Sequence, residues 1–436
     1  MNSRIFACVI AVALAVALTS AVRLYAQNSH DQVRYRSFSL GVPLGGTVSG
    51  AAAINNSDWI AGDSNLTGDA AQHAELWVFG FPIDLGTLGG PNSAVLWPGL
   101  NAFGEAVGIS DTDNTDPLGE SWSCGAFFPA SHAGHTCVGF KWHNGVMTAL
   151  PTLGGNNGFA TSVNNRGQIV GWAETPVHDS TCVPPQVLQF EAVVWGPGDG
   201  QTQPLPPFPG DLDGAATGIN DRGQVVGISG ICQNAVGELS AKHALLWQNG
   251  VPIDLGNLGG SAWHTPMDIN NRGDVVGFSD LPGDQNGTHP NFHAFLWTRE
   301  SGMRDLGTLP GDAISEALGI NSRGQIVGVS YGAGFTHPRA FLWQNGVMSD
   351  LNSLAHHPSL LLQAGQKIND LGVIVGLAED TSNGTFPAFA AVPRGEGEGS
   401  LELSGDAASL PNAISHAGAR GRRLNLGRVP MPRTGR

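Results

Sequence analysis

Four acidic side chains crowd one short stretch of the chain: Asp111, Asp113, Asp116 and Glu120, with Asn114 among them. Oxygen donors at that density are the ligand chemistry of calcium. The stretch lacks the glycine and terminal glutamate spacing of an EF-hand loop, so a solvated acidic loop competes with a calcium site. Calcium is the only cofactor the residues offer. Asp211/Asp213 and Asp280/Asp284 read as turn formers.

Other chemistry-bearing residues are the cysteines Cys124, Cys137, Cys182 and Cys232, and the tryptophans Trp122, Trp172 and Trp263. The cysteines contain no Cys-x-x-Cys pair, which favours disulfides over a metal. These three tryptophans stand outside the main repeated pattern and are expected to be exposed platforms for stacking a sugar or peptide. Among the histidines, His73, His243 and His293 recur at one repeated position, where a structural hydrogen bond is expected. His132, His135, His143 and His178 lie near the cysteines and are the better candidates for a local site. No Gly-x-Ser-x-Gly elbow, His-Glu-x-x-His motif or phosphate loop is present, so no catalytic residue is assigned.

The elements that must position these residues emerge when the chain is compared with itself. The pattern I/L/V-N-x-x-G-x-[IV]-[VA]-G places its asparagine at Asn55, Asn101, Asn164, Asn220, Asn270, Asn321 and Asn369. Seven residues after each comes Gly62, Gly108, Gly171, Gly227, Gly277, Gly328 or Gly376. The asparagine opens a turn, and Gly167, Gly223, Gly273, Gly324 or Gly372 supplies the left-handed residue of a hairpin. The first copy has Asp58 at that place, a residue type that tolerates the same conformation.

A second pattern, "HALLW" at 243–247 and "HAFLW" at 293–297, reads as a strand whose Trp77, Trp142, Trp195, Trp247, Trp297 and Trp343 belong to the core. A third, "NGVPIDLGNLGG", adds a hairpin and a fourth strand; its Asp84, Asp254, Asp305 and Asp350 are expected to be cross-strand partners. The fourth strand of the last copy is missing there and recurs at the N-terminus, as "RSFSLGVPLGG" at 36–46. The offset predicts an all-β, seven-bladed propeller of four-stranded repeats, closed by its own termini. All four cysteines then fall between the second and third strands of copies two to four, on one face. Four cysteines allow three pairings. Cys124–Cys137 and Cys182–Cys232 are the expected ones.

The combination "DLGTLGG…IN..GQVVG…HAFLW..G" over about residues 36–393 resembles the bacterial extracellular repeat family named HAF. The resemblance implies export and a repeat-built β fold, and it carries no established activity or catalytic residue.

Arg4 and the apolar run Ile5–Leu18 read as a signal peptide over residues 1–26, too short for a comfortable membrane span. The propeller is expected over 33–393 and a disordered Arg-rich tail over 394–436. Twelve Lys and Arg stand against 32 Asp and Glu between residues 31 and 393, a difference of −20. Such a body argues against nucleic acid as partner. A secreted or periplasmic monomer is expected, with no membrane span and no metal beyond calcium. Its expected function is non-catalytic binding or scaffolding of an extracellular polysaccharide or protein. The alternatives are a glycan hydrolase or lyase with carboxylates at the axis, and an adhesion or matrix role using the tail.

Overall fold

In the computed structural model the described residues are 33–394, apart from 121, 129, 133, 199–200, 234–237 and 284–290. They form seven four-stranded antiparallel sheets, a seven-bladed β-propeller. Six blades are simple meanders: Gly45–Asp84, Gly89–Ala149, Gly158–Leu205, Asp213–Asp254, Thr265–Asp305 and Ile314–Asp350. The seventh takes three strands from the chain's end, Leu360–Ile368, Ile374–Asp380 and Ala388–Pro393. Its outer strand is Tyr35–Gly41, paired antiparallel with Ala388–Pro393. The ring is thus closed by its own termini, as the offset repeat predicts, and no blade is left without a neighbour to cover its faces.

Each asparagine of the first pattern organises its hairpin. In blade four the Asn220 Oδ1 accepts the backbone N–H groups of Arg222 at 3.0 Å and Gln224 at 3.1 Å. Gly223 follows with φ of 77°, the left-handed conformation the turn requires. In the first blade Asp58 occupies the equivalent place with φ of 53°.

The asparagines do more than open turns. The Nδ2 of Asn55 donates to the Asn101 carbonyl at 2.9 Å, Asn101 to Asn164 at 3.2 Å, and Asn164 to Asn220 at 3.0 Å. Asn220 donates to Asn270 at 3.0 Å, Asn270 to Asn321 at 3.2 Å, and Asn321 to Asn369 at 3.0 Å. Asn369 returns to the Asn55 carbonyl at 3.3 Å. Seven buried amides therefore form a closed circle of hydrogen bonds from blade to blade.

The glycine seven residues on has a different cause. A Cβ at Gly108, Gly171, Gly227, Gly277, Gly328 or Gly376 would come within about 2 Å of a carbonyl oxygen on the first strand. In several blades the first strand shifts register next to this contact, for example between Ala160 and Ser162 and between Ala216 and Gly218. Such bulges press the two backbones together where only glycine fits.

Apolar side chains from adjacent blades fill each of the seven seams, as in the cluster of Val226, Leu246, Ile269 and Phe295 between blades four and five. The third-strand tryptophans Trp77, Trp142, Trp195, Trp247 and Trp297 are buried, as their periodicity predicts, and Trp343 is partly so. A further cluster runs around the inner part of blades two to seven and includes Ile109, Trp172, Ile228, Phe278, Val329 and Leu377. Each of these immediately follows the close-contact glycine, and blade one places Asp63 there instead.

Replacing Asn220 by alanine is expected to cost about 2–3 kcal/mol, because buried N–H and C=O groups lose partners in two blades. Asn220→Asp keeps the acceptor but turns a carboxylate oxygen toward the Asn270 carbonyl and Gln224 Oε1, so it should cost at least as much. Urea unfolding measures both; a loss below about 0.5 kcal/mol for the alanine variant would show the circle to be dispensable.

Candidate functional site

The connections between second and third strands in blades two, three and four hold the four cysteines, and all three lie on one face. In blade two the connection carries a short helix, Trp122–Phe127, and a 3-10 turn, Ala130–His132. In blade four it carries the 3-10 turn Glu238–Ala241. Both expected disulfides are present: Cys124–Cys137 within the blade-two connection and Cys182–Cys232 between those of blades three and four.

Hydrogen bonds extend these covalent links. Val183 N–H donates to the Gln233 carbonyl at 2.7 Å, and Gln233 N–H to the Thr181 carbonyl at 3.1 Å. Glu120 of blade two reaches into blade three, where its Oε1 accepts the N–H groups of Val187 at 2.9 Å and Leu188 at 2.6 Å. The three connections therefore form one continuous platform.

A group of carboxylates lies inside its blade-two to blade-three junction. Asp116 Oδ2 accepts from Asn157 Nδ2 at 3.2 Å, and the same amide donates to Glu174 at 3.3 Å. Glu174 also accepts the N–H of Asn157 at 2.8 Å and Gln186 Nε2 at 3.1 Å. Asn156 Nδ2 donates to Glu120 at 3.3 Å. Burial, reinforced by the Glu120 charge, pushes the Glu174 carboxyl up to about 7 against the opposing pull of these hydrogen bonds.

Asn156 also lines an open groove of about 460 Å³ along this junction. Its polar wall includes Thr112, Asn114, Thr115 and Thr152, and its apolar wall Pro117, Val138, Leu150 and Pro151. Hydroxyls and amides beside small apolar surfaces suit a neutral, hydroxyl-rich or peptide ligand.

The acidic stretch expected to bind calcium does not converge on one point. Asp111 is fully buried, accepts from Asn92 Nδ2 at 2.7 Å and faces His132. Asp113 is exposed. Asp116 Oδ1 accepts the N–H groups of Leu118 at 2.9 Å and Gly119 at 3.2 Å, and Glu120 is engaged with blade three. Alternating side-chain direction along the second strand of blade two sends Asp111 inward, while Asp116 serves the loop's own backbone and Glu120 that of blade three.

The tryptophans also differ from expectation. Trp172 is only 1% exposed and packs edge-on between Phe159 and Phe190, so it is core and not a platform. Its place directly after Gly171, where other blades put Ile109 or Ile228, was the available signal. Trp263 is partly buried, stacks on Phe292 with ring centres 5.8 Å apart and has φ of 59°. The side chain of Trp122 lies outside the described residues.

The repeated histidines are structural, as expected. His73 pairs with Asp84 at 3.0 Å and His293 with Asp305 at 2.9 Å, whereas His243 turns to Asp211 at 2.6 Å. Arg339 replaces histidine in blade six and pairs with Asp350 at 3.1 Å. Buried carboxyls elsewhere had no motif to announce them. Burial and the neighbouring Asp63 push Glu75 up to about 9, and burial raises Glu316 to about 8. Asp213 is likewise raised to about 8 by burial, helped by Asp179.

No family model matches the chain, and no curated protein matches it. Among solved structures, Pyrococcus horikoshii acylaminoacyl peptidase in its orthorhombic crystal form is similar at TM-score 0.38 and 15% identity. The alignment covers 76% of this chain and 50% of that one, so the chain spans about half that protein's length. This likeness carries no argument about activity.

Two predictions follow from this face. By loop-closure entropy, removing Cys182–Cys232 (sequence separation 50) should cost about 4 kcal/mol and removing Cys124–Cys137 (separation 13) about 3 kcal/mol. Paired serine variants in urea test the order. The second concerns pH. Glu75, Glu174, Asp213 and Glu316 keep their protons longer folded than unfolded. Their stabilisation is complete below the ordinary carboxyl range and is lost as pH rises through 7 to 9. His264, held down to about 4 by burial, acts oppositely only below its ordinary value near 6.5. The proton difference exists between the unfolded and folded values, so the melting temperature should fall as pH rises from about 5 to 9, the Glu174 share ending near 7, and Glu174→Gln and Glu316→Gln should each flatten the slope in its own range. A flat profile in the parent protein would refute this.

Proposed function

We propose that the chain is an exported, non-catalytic propeller of the HAF repeat family that holds an extracellular glycan or protein on its disulfide-linked face. One observation carries the reading: the connections of three neighbouring blades are knit together by the Cys182–Cys232 disulfide and by Glu120, with Cys124–Cys137 closing the blade-two connection on itself, beside an open groove. A surface fixed before binding loses little conformational entropy when it takes a ligand, which is what a recognition site needs. Loops on a rigid scaffold are where such sites are commonly built. The disulfides suit a secreted or periplasmic location. Among the described residues no helix is long and apolar enough to cross a membrane.

A second reading has its own support. Burial beside the Glu120 charge raises Glu174 to about 7, and glycoside hydrolysis uses a raised carboxyl near a second one. Both side chains are buried and hydrogen-bonded beneath the groove, which favours binding over turnover.

Melting residues 27–436 against bacterial and plant oligosaccharides, with and without calcium, tests the proposal. A glycan at one hundred times its Kd should stabilise the fold by about 2.7 kcal/mol. Thr152→Arg, which fills the groove, should abolish that shift. A shift unchanged by Thr152→Arg would move the site elsewhere. Release of shorter sugars, lost in Glu174→Gln, would replace binding with hydrolysis. No shift with any glycan would leave the protein-partner form, tested by cross-linking capture that Thr152→Arg prevents.

A further inference from the structure

Beneath the blade-two connection four potential metal ligands meet. Asp111 lies directly opposite Cys137 across the strand pair, and Cys137 is bonded to Cys124. A carboxylate oxygen of Asp111, a ring nitrogen of His132 and the Cys124 Sγ all lie within 4.8 Å of one another. All four residues are buried. Asp111 Oδ1 and His132 Nδ1 face each other at 3.8 Å, too far for a direct hydrogen bond. Neither atom has a hydrogen-bond partner among the described residues. Two buried polar atoms of opposite character, aimed at one another across such a gap, are costly unless something else enters.

We propose that Asp111, Cys124, His132 and Cys137 form a zinc site that opens when the Cys124–Cys137 disulfide is reduced. The donor set, two thiolates, one imidazole and one carboxylate, matches the tetrahedral preference of zinc, with bonds of about 2.0–2.3 Å. The Cα atoms of the two cysteines are 6.0 Å apart, so side-chain rotation can separate the sulfurs around an ion without moving the strands. Asn92, which donates to Asp111 Oδ2 at 2.7 Å, would orient the carboxylate and leave Oδ1 for the metal.

The chemistry balances with a dithiol reductant. It delivers two electrons and two protons to the sulfur–sulfur bond, leaves as its own disulfide, and yields two thiols. Zinc then displaces the two thiol protons to solvent, while His132 binds as the neutral imidazole. Oxidised, the connection is stapled by the disulfide; reduced, the metal would staple it at the same place. The proposal stands apart from the groove's ligand, because it concerns the ion and not the glycan or partner.

The test uses the chain with Cys182→Ser and Cys232→Ser, so that only the blade-two pair can be reduced. Reduced protein is mixed with cobalt as a spectroscopic stand-in for zinc, desalted, and its metal counted. One cobalt per chain with a tetrahedral thiolate spectrum is expected, and none in the oxidised protein. Asp111→Asn and His132→Ala should each weaken binding by at least about tenfold. Equal loading of oxidised and reduced protein would overturn the proposal, as would no loading, or a spectrum indifferent to both substitutions. If the double-serine chain does not fold, reduced wild type is compared with reduced Cys124→Ser, and only the chain that keeps Cys124 should show the His132-dependent spectrum.

Discussion

The whole ring hangs on one hydrogen-bond arrangement, the seven asparagine side chains that each serve two blades. An asparagine carries both an acceptor and donors on one rigid plane. Its oxygen is committed to its own turn, as Asn220 is to Arg222 and Gln224. Its nitrogen is thereby aimed at the next blade's backbone, as at the Asn270 carbonyl. Local turn geometry and blade-to-blade spacing are thus set by the same side chain, and neither aspartate nor leucine could do both. The turn glycines join this coupling: a Cβ on Gly223 would strike the Arg166 guanidinium of the previous blade at 2.5 Å, and Gly324 meets Arg272 at 2.8 Å in the same way. Glycine is required there for its left-handed φ, and it also leaves room for the neighbour's flexible arginine.

With one face fixed by these short, repeated turns, variation is confined to the opposite face. The connections that hold the cysteines have no part in the asparagine circle, so their length can change without cost to closure. They are instead tied to one another, through Cys182–Cys232 and through Glu120 onto Val187 and Leu188. Buried carboxyls at this junction are tolerated because Asn157, Gln186 and backbone N–H groups share out their charge. Glu316, in blade six, is raised by burial alone.

Repeats made the architecture legible: identical spacing revealed the blade count, the strand order and the closing N-terminal strand. Both disulfides followed once the cysteines were placed on shared connections. The asparagines were read only as turn openers, because a single repeat shows the local bonds and hides the neighbour that the amide nitrogen reaches. Trp172 was misplaced for a related reason. It was compared with other tryptophans, when the informative comparison was with Ile109 and Ile228 at the same repeat position. The acidic stretch misled because proximity in sequence does not decide direction: Asp111 and Glu120 end in different hydrogen-bond neighbourhoods, and Glu174, the carboxyl nearest Glu120 in effect, comes from another blade.

The blades are similar but not interchangeable, and the axis shows why. Two residues before each asparagine the chain carries Ala53, Gly99, Ser162, Gly218, Asp268, Gly319 and Lys367. Five of these are small; the two charged ones are opposite in sign and flank the glycine of blade six. Lys367 of blade seven reaches across to Asp268 of blade five, whose other contact is the Ile320 N–H of blade six at 2.8 Å. A side chain at position 319 would block that path, since its Cβ would lie 2.9 Å from the Lys367 Cα. A partly buried ion pair adds little net stability, but exchanging blade five or blade seven would strand one charge inside the ring. The pair therefore sets blades five and seven apart from the rest, a distinction the asparagine circle, being the same in every blade, cannot make.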